Sequence, residues 1–344
     1  CYTYEEAKHK LDHGMKILIR EGSAAKNYLA LSPLFDYRPD RLMFCSDDKH
    51  PDDLIEGHIN LLVRRAISDG YDLYDVLRAA SINPIDHYDL EVGQLRVGDA
   101  ADFVIVEDLK NFNVISTYIN GTQVSDSTHC LFSKVTAVPI NQFNCTTKQA
   151  SDFEIQTNAN HARVIHALDG EIITKELITH ITTEKGRFLA DTKKDILTIT
   201  VINRYEDAPP VSALIHGFGL SHGAIASCVG HDTHNIIAVG CDTHSIAKAV
   251  NLIIENKGGI SAVGNDREML LPLPFAGIMS GDEGKLVGKE YAELDRFAKD
   301  VLGSCLGAPY MTLSFMALLV IPDLKLSDKG LFSGKEFRFV DSFI

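Results

Sequence analysis

Residues 41–53 read RLMFCSDDKHPDD. Leu42 to Cys45 is a short apolar run of the kind that forms a buried strand, and the chain turns polar at Ser46. Two adjacent carboxylates, Asp47 and Asp48, then a lysine and His50, follow at once. Like charges at the mouth of a strand repel, so their placement needs a cause. In a parallel α/β barrel, chemically active groups sit at the carboxyl ends of strands. A carboxylate there can bind a hard or borderline divalent cation. It can also serve as a base toward metal-bound water. The plainer alternative is that both aspartates favour the start of a helix after Pro51. The expected division is one carboxylate facing a site and the other serving the loop or cap.

The flanking sequence follows the same grammar. Thr3 with Glu6 three residues on is a capping-box pattern, predicting a helix to about Leu11 that ends at Gly14. MKILI, residues 15–19, reads as a buried strand ending in REGS, and AAKNYLAL as a helix. After residues 41–45, DLIEGHINLLVRRAISDG carries Leu54, Ile55, Ile59, Leu62, Val63 and Ile67 at helical spacing, predicting one helix. Helix and strand in alternation mark parallel α/β structure. Two strands cannot complete such a sheet or barrel, so the rest is expected upstream or from another chain. Cys1, in place of a methionine, fits a chain that begins partway through a longer gene product.

Beyond a further amphipathic helix, YDLYDVLRAAS, short strands punctuated by Gly93, Gly98 and Gly121 predict a small β domain. NQFNCTTKQASD reads as a linker. A third region begins near residue 150, with strands in ARVIHAL, DILTITVINRY and HNIIAVG and helices at 243–256 and near 284–301. Residues 311–321 fit either a helix or a buried strand.

Composition narrows the function. The 344 residues carry a formal net charge of -14, which argues against a nucleic-acid partner. The longest apolar stretch, MTLSFMALLVIP, is too short for a membrane span. Seven cysteines without CxxC pairs fit reduced thiols in a cytoplasm.

A second polar constellation is SHGAIASCVGHDTHNIIAVGCDTHS, residues 221–245. HDTH sets His231 and His234 around Asp232. This spacing could hold a metal. On an extended chain, however, the two rings would point to opposite faces, one buried and one solvated. Two expectations stand side by side in place of a metal site: a polar lid over a metal site elsewhere, with Gly217, Gly219 and Gly223 supplying tight or mobile backbone, and a structural hydrogen-bond network within the C-terminal domain. GFGLSHG lacks the strand–GxGxxG–helix context of a dinucleotide site. Cys45 is expected in the core, and Ser280 or Asp282 as a helix cap.

Six segments together carry a resemblance. GMKILIREGSAAKN, MFCSDDKHPDDLIEGHINLLVRRAI, SINPIDHYDLEVGQLRVGDAADFVIVEDL, GFGLSHGAIASCVGHDTHNIIAVG, LPLPFAGIMS and PYMTLSFMALLVIPDLKLSDKGLF resemble bacterial adenine deaminases of the amidohydrolase superfamily. The resemblance runs from the first residues to the last. It implies an α/β chain made of the last two strand–helix units of a (β/α)8 metal-dependent hydrolase barrel (1–82). A composite β-sandwich (83–147) and an α+β C-terminal domain (148–344) follow. It implies hydrolysis of adenine to hypoxanthine and ammonia in purine salvage, with Mn2+ or Fe2+ at a binuclear centre. In CSDD it makes Asp47 the metal ligand and proton-transfer carboxylate after the eighth strand, and leaves Asp48 to the loop. The family's HxH pair, bridging glutamate and further histidines are absent and expected upstream of Cys1. One aspartate cannot hold a metal pair. From placement, Glu21, Ser23, His231, Asp232, His234 and Asn235 are candidates for the purine pocket. The expected partners are adenine and further copies of the chain, with no nucleic acid and no membrane. Two alternatives stay open: a non-catalytic fragment or assembly domain, and an amidohydrolase for another purine or a cyclic amide.

Overall fold

The computed structural model describes all of residues 1–344 and divides into two compact units, residues 1–136 and 137–344. The first unit begins with α1 (Tyr4–Asp12), whose first turn is capped when Thr3 Oγ1 accepts the Glu6 amide at 3.2 Å. Glu6 reaches back to the amide of Tyr2, at 2.9 Å, so the reciprocal bond falls one residue before the cap. Then follow β1 (Ile17–Arg20), α2 (Tyr28–Leu31) and β2 (Leu42–Cys45).

β1 and β2 are parallel neighbours, with Ile17 opposite Leu42 and Arg20 opposite Cys45. Side chains alternate across a strand. Ile17, Ile19, Leu42 and Phe44 therefore join one core with Leu11, Tyr28, Leu31, Phe35, Leu62 and Val63. The alternate residues Leu18, Arg20, Met43 and Cys45 border a cavity of about 310 Å³.

The single helix expected from residue 53 is two, α3 (Pro51–Glu56) and α4 (Ile59–Ser68). The break is at Gly57, with φ 155°, where an added Cβ would lie 2.6 Å from Leu61 Cγ. Only the second piece buries the expected stripe, through Leu62 and Val63; Leu54 and Ile55 of α3 are left about half exposed. α5 (Leu73–Leu77) continues through a π-helical turn, Arg78–Ile82, into α6 (Asn83–Tyr88). Regular β structure resumes at Phe103, with β3 (Phe103–Val106), β4 (Val114–Ile119) and β5 (Thr122–Asp126) as one antiparallel sheet.

The second unit is built on an eight-stranded sheet. Its strands are β6 (His161–Ala167), β7 (Thr174–His180), β10 (Leu197–Ile202), β11 (Val211–His216), β12 (Ala224–Ser227), β13 (Ile236–Gly240), β14 (Gly259–Val263) and β15 (Glu268–Pro272). A two-residue pair, β8 (Thr183–Glu184) and β9 (Arg187–Phe188), lies outside it. The order is β15-β14-β12-β13-β10-β11-β6-β7, antiparallel throughout except for β11 beside β6. Every residue of β10, β12, β13 and β14 is buried, as expected for central strands covered on both faces. α7 (Thr243–Glu255) packs Ile246, Val250 and Ile253 against Ala224, Ala238 and Val263, and Asp242 caps it by accepting the Ser245 amide at 2.8 Å.

α8 (Gly284–Arg296) starts at Glu283, without a side-chain cap. The expected cap was Ser280 or Asp282, but these two hydrogen-bond each other instead. The ambiguous apolar stretch is resolved as α9 (Pro309–Phe315), a helix buried on every side. β16 (Leu324–Ser327), β17 (Gly330–Ser333) and β18 (Arg338–Phe339) form a second small sheet. No helix in the chain is long and apolar enough to cross a membrane.

Candidate functional site

At the carboxyl ends of β1 and β2, Asp47 leaves the strand with φ 53°, which turns its side chain back toward β1. Its Oδ1 lies 2.6 Å from Arg20 Nη1, and its Oδ2 accepts the Asp48 amide at 2.9 Å. Asp47 borders the cavity beside Arg20, Met43 and Cys45. Asp48 serves the loop: its carbonyl accepts the Ser23 amide at 2.9 Å. Gly22 permits this approach, because a Cβ there would meet Asp48 O at 2.9 Å. Cys45, expected in the core, is instead only partly buried and borders the same cavity as Asp47; burial still pushes its thiol up.

Glu21 and Ser23 also stand at this rim, and both are tied into it. Ser23 Oγ accepts the His50 amide at 2.8 Å and donates to Asp53, joining the two loops. Glu21 accepts from Arg65 at 3.2 Å and from the Tyr28 amide at 3.3 Å, while the Arg65 guanidinium lies 4.1 Å from the Tyr28 ring centre. Glu21 borders a second cavity, of about 160 Å³, with Lys26, Lys49, Asp53 and Arg65. Asp47 does not border it.

In the second unit, residues 231–234 form a tight turn, not the extended chain expected from the strand that follows. His234 has φ 53° and its amide bonds back to Gly230 O at 2.7 Å. The imidazoles consequently face each other, with ring centres 6.3 Å apart, instead of pointing to opposite faces. His231 stacks on Phe315 at 4.7 Å, and its amide donates to Ser314 O. Burial pushes His234 below the usual histidine value, helped by His231 and Arg204, and its Nδ1 is buried without a hydrogen-bond partner. The Asp232 side chain is 80% exposed. Asn235 is 4% exposed and structural, its Oδ1 accepting the Arg204 amide at 3.3 Å.

No group of three or more His, Cys, Asp or Glu side chains in the chain is arranged to hold a metal. The spacing of HDTH therefore does not produce a metal site. Asp47 is engaged by Arg20 and by the Asp48 amide, and is a single potential ligand.

Two residues of this region escaped the sequence reading. Arg204 and Tyr205 follow the all-buried β10, and both hold the 231–235 turn. The only available signal was a lone arginine two residues beyond the end of a central apolar strand.

Comparison with known proteins adds the last evidence. Residues 171–338 match the adenine deaminase C-terminal domain, and residues 3–124 match the amidohydrolase family. An adenine deaminase of Sulfurovum sp. is 56% identical over 342 residues, covering 99% of this chain and 63% of the relative. One from Salinibacter ruber is 48% identical over 345 residues, with 100% and 63% covered. A third, from Borreliella burgdorferi, is 47% identical over 346 residues, with 99% and 63% covered. The chain thus spans 63% of the length of these relatives.

Proposed function

The chain belongs to the adenine deaminase family of amidohydrolases, and from that premise we propose that it works in the hydrolysis of adenine to hypoxanthine and ammonia. The observation that carries this reading is the alignment of 99% of the chain, at 56% identity, with a relative named adenine deaminase. The family is one of metal-dependent hydrolases, and the metal supplies activation of the attacking water; manganese or iron is the proposed ion. The side chains of these residues do not by themselves make up a metal centre.

Asp47 is the proposed proton carrier. Deamination adds water at the ring carbon bearing the amine and expels that amine as ammonia. The attacking water must lose a proton, and the departing amine must gain one. A single carboxylate at the rim performs both transfers in turn. Arg20 fixes its direction. His231, Asp232 and His234 of the 231–235 loop are proposed to contact the purine, with Asn235 bracing the loop from beneath. Water exclusion there keeps the addition selective. Glu21 and Ser23 shape the rim. In this reading residues 1–82 complete a barrel, 83–147 a β-sandwich and 148–344 the C-terminal domain. The seven free cysteines fit a reducing cytoplasm.

The test is conversion of adenine by the purified full-length protein, with hypoxanthine and ammonia measured together. Equimolar release supports the reading. No release from adenine, with release from another purine or a cyclic amide, would replace the substrate while keeping the reaction class.

A further inference from the structure

Arg204 is 4% exposed, and its charge is met by neutral groups. Nη1 donates to Ala276 O at 2.6 Å, in the turn of LPLPFAGIMS. Nη2 donates to the Tyr205 hydroxyl at 2.9 Å, and that hydroxyl donates to Thr233 O at 2.9 Å, at the tip of the 231–235 turn. The Arg204 amide is held by Asn235 Oδ1, and the guanidinium lies 4.7 Å from the Tyr205 ring centre. Space for the fork depends on Gly277: a Cβ there would fall 1.8 Å from Nη1. Burying an arginine without a carboxylate is costly. Here the cation connects two segments that are 28 or more residues apart in sequence from it, and a planar fork is the group able to bond two directions at once.

We propose that Arg204 is the positioning residue for the 231–235 loop, acting through the Tyr205 hydroxyl on Thr233 and through Ala276 on the neighbouring turn. This rests on the reading that the loop faces adenine. Its effect is on where His231 and His234 stand, not on proton transfer. A lysine at 204 keeps the charge but cannot hold both partners in one plane.

The experiment pairs two readouts on Tyr205→Phe and Arg204→Lys. The first is amide hydrogen exchange over residues 230–236 in this chain. The second is kcat and KM for adenine in the full-length, metal-loaded enzyme, with His231→Ala as reference. Tyr205→Phe is expected to speed exchange at the loop and raise KM about tenfold, with kcat within about twofold. Adding Arg204→Lys to Tyr205→Phe is expected to add a further, smaller increase in exchange, since it also weakens the bond to Ala276 that Tyr205→Phe leaves in place. Unchanged loop exchange in Tyr205→Phe overturns the proposal. So does unchanged KM in Tyr205→Phe where His231→Ala raises it. Faster exchange with KM untouched in all three variants overturns the reading that the loop faces adenine, and the exchange data separate that failure from failure of the relay.

Discussion

Arg20 and Asp47 meet at 2.6 Å across the shared carboxyl ends of two parallel strands, 27 residues apart in sequence. Their strands are in register, with Arg20 beside Cys45, so the backbone delivers both side chains to one rim. This answers the repulsion posed by adjacent aspartates: one is neutralised across the sheet, and the other turns to the loop. Because both partners are partly solvated, the pair is worth about 0–1 kcal/mol in stability. Under the proposed role of Asp47, its value is in aiming that carboxylate. Arg20→Met in the full-length enzyme should lower kcat about tenfold and leave the melting temperature nearly unchanged. Unaltered kcat would show that the pair is ornamental to turnover.

Lys325 on β16 is fully buried, with Nζ donating to Ile172 O at 2.7 Å and Phe315 O at 3.0 Å. Burial lowers its pKa to about 7. The unfolded chain keeps this proton up to about pH 10.4, so above pH 7 the unfolded state binds more protons. Stability should therefore rise with pH through that window, by up to about 4 kcal/mol from this group. The thiols of the buried Cys228 and the partly buried Cys241, raised to about 11 and about 12, work in the opposite direction at the alkaline end. Melting curves of the wild type and Lys325→Met between pH 7 and 10 separate the two. The wild type should gain on the variant as pH rises, and parallel curves would contradict the assignment.

Asn83 is buried at the start of α6, where Nδ2 donates to Leu42 O at 2.8 Å and Pro39 O at 3.1 Å. It anchors the entry of β2. Asn83→Ala leaves these carbonyls without that donor and should cost about 1–3 kcal/mol in urea unfolding of this chain. A loss below about 0.5 kcal/mol would mean that solvent replaces the donor.

What could be read from sequence follows from the range of the forces involved. β1 and β2 were legible because each is a short apolar run ended by abrupt polarity, whereas the residues alone left Asp47 and Asp48 as equal candidates and only the family resemblance singled out Asp47. α1 was legible because its cap is a contact between Thr3 and Glu6. The break at Gly57 was not, since Leu54 and Ile55 continue the helical spacing in sequence, although in the fold they are left half exposed on the separate α3. The HDTH turn was misread as extended because its conformation is set by Ser314 and Phe315, some 80 residues away. Arg204 and Lys325 were missed for the same reason: their partners come from remote segments, and neither residue stands in a local motif.

The proton-carrying role of Asp47 is the claim on which the rest depends. Its most direct test is steady-state ammonia release from adenine by the full-length Asp47→Asn enzyme, with circular dichroism and bound metal measured on the same sample. The asparagine preserves shape and removes the proton acceptor. Turnover should fall by about two to four orders of magnitude with the fold intact. Near-wild-type turnover in a folded, metal-loaded variant would contradict the account.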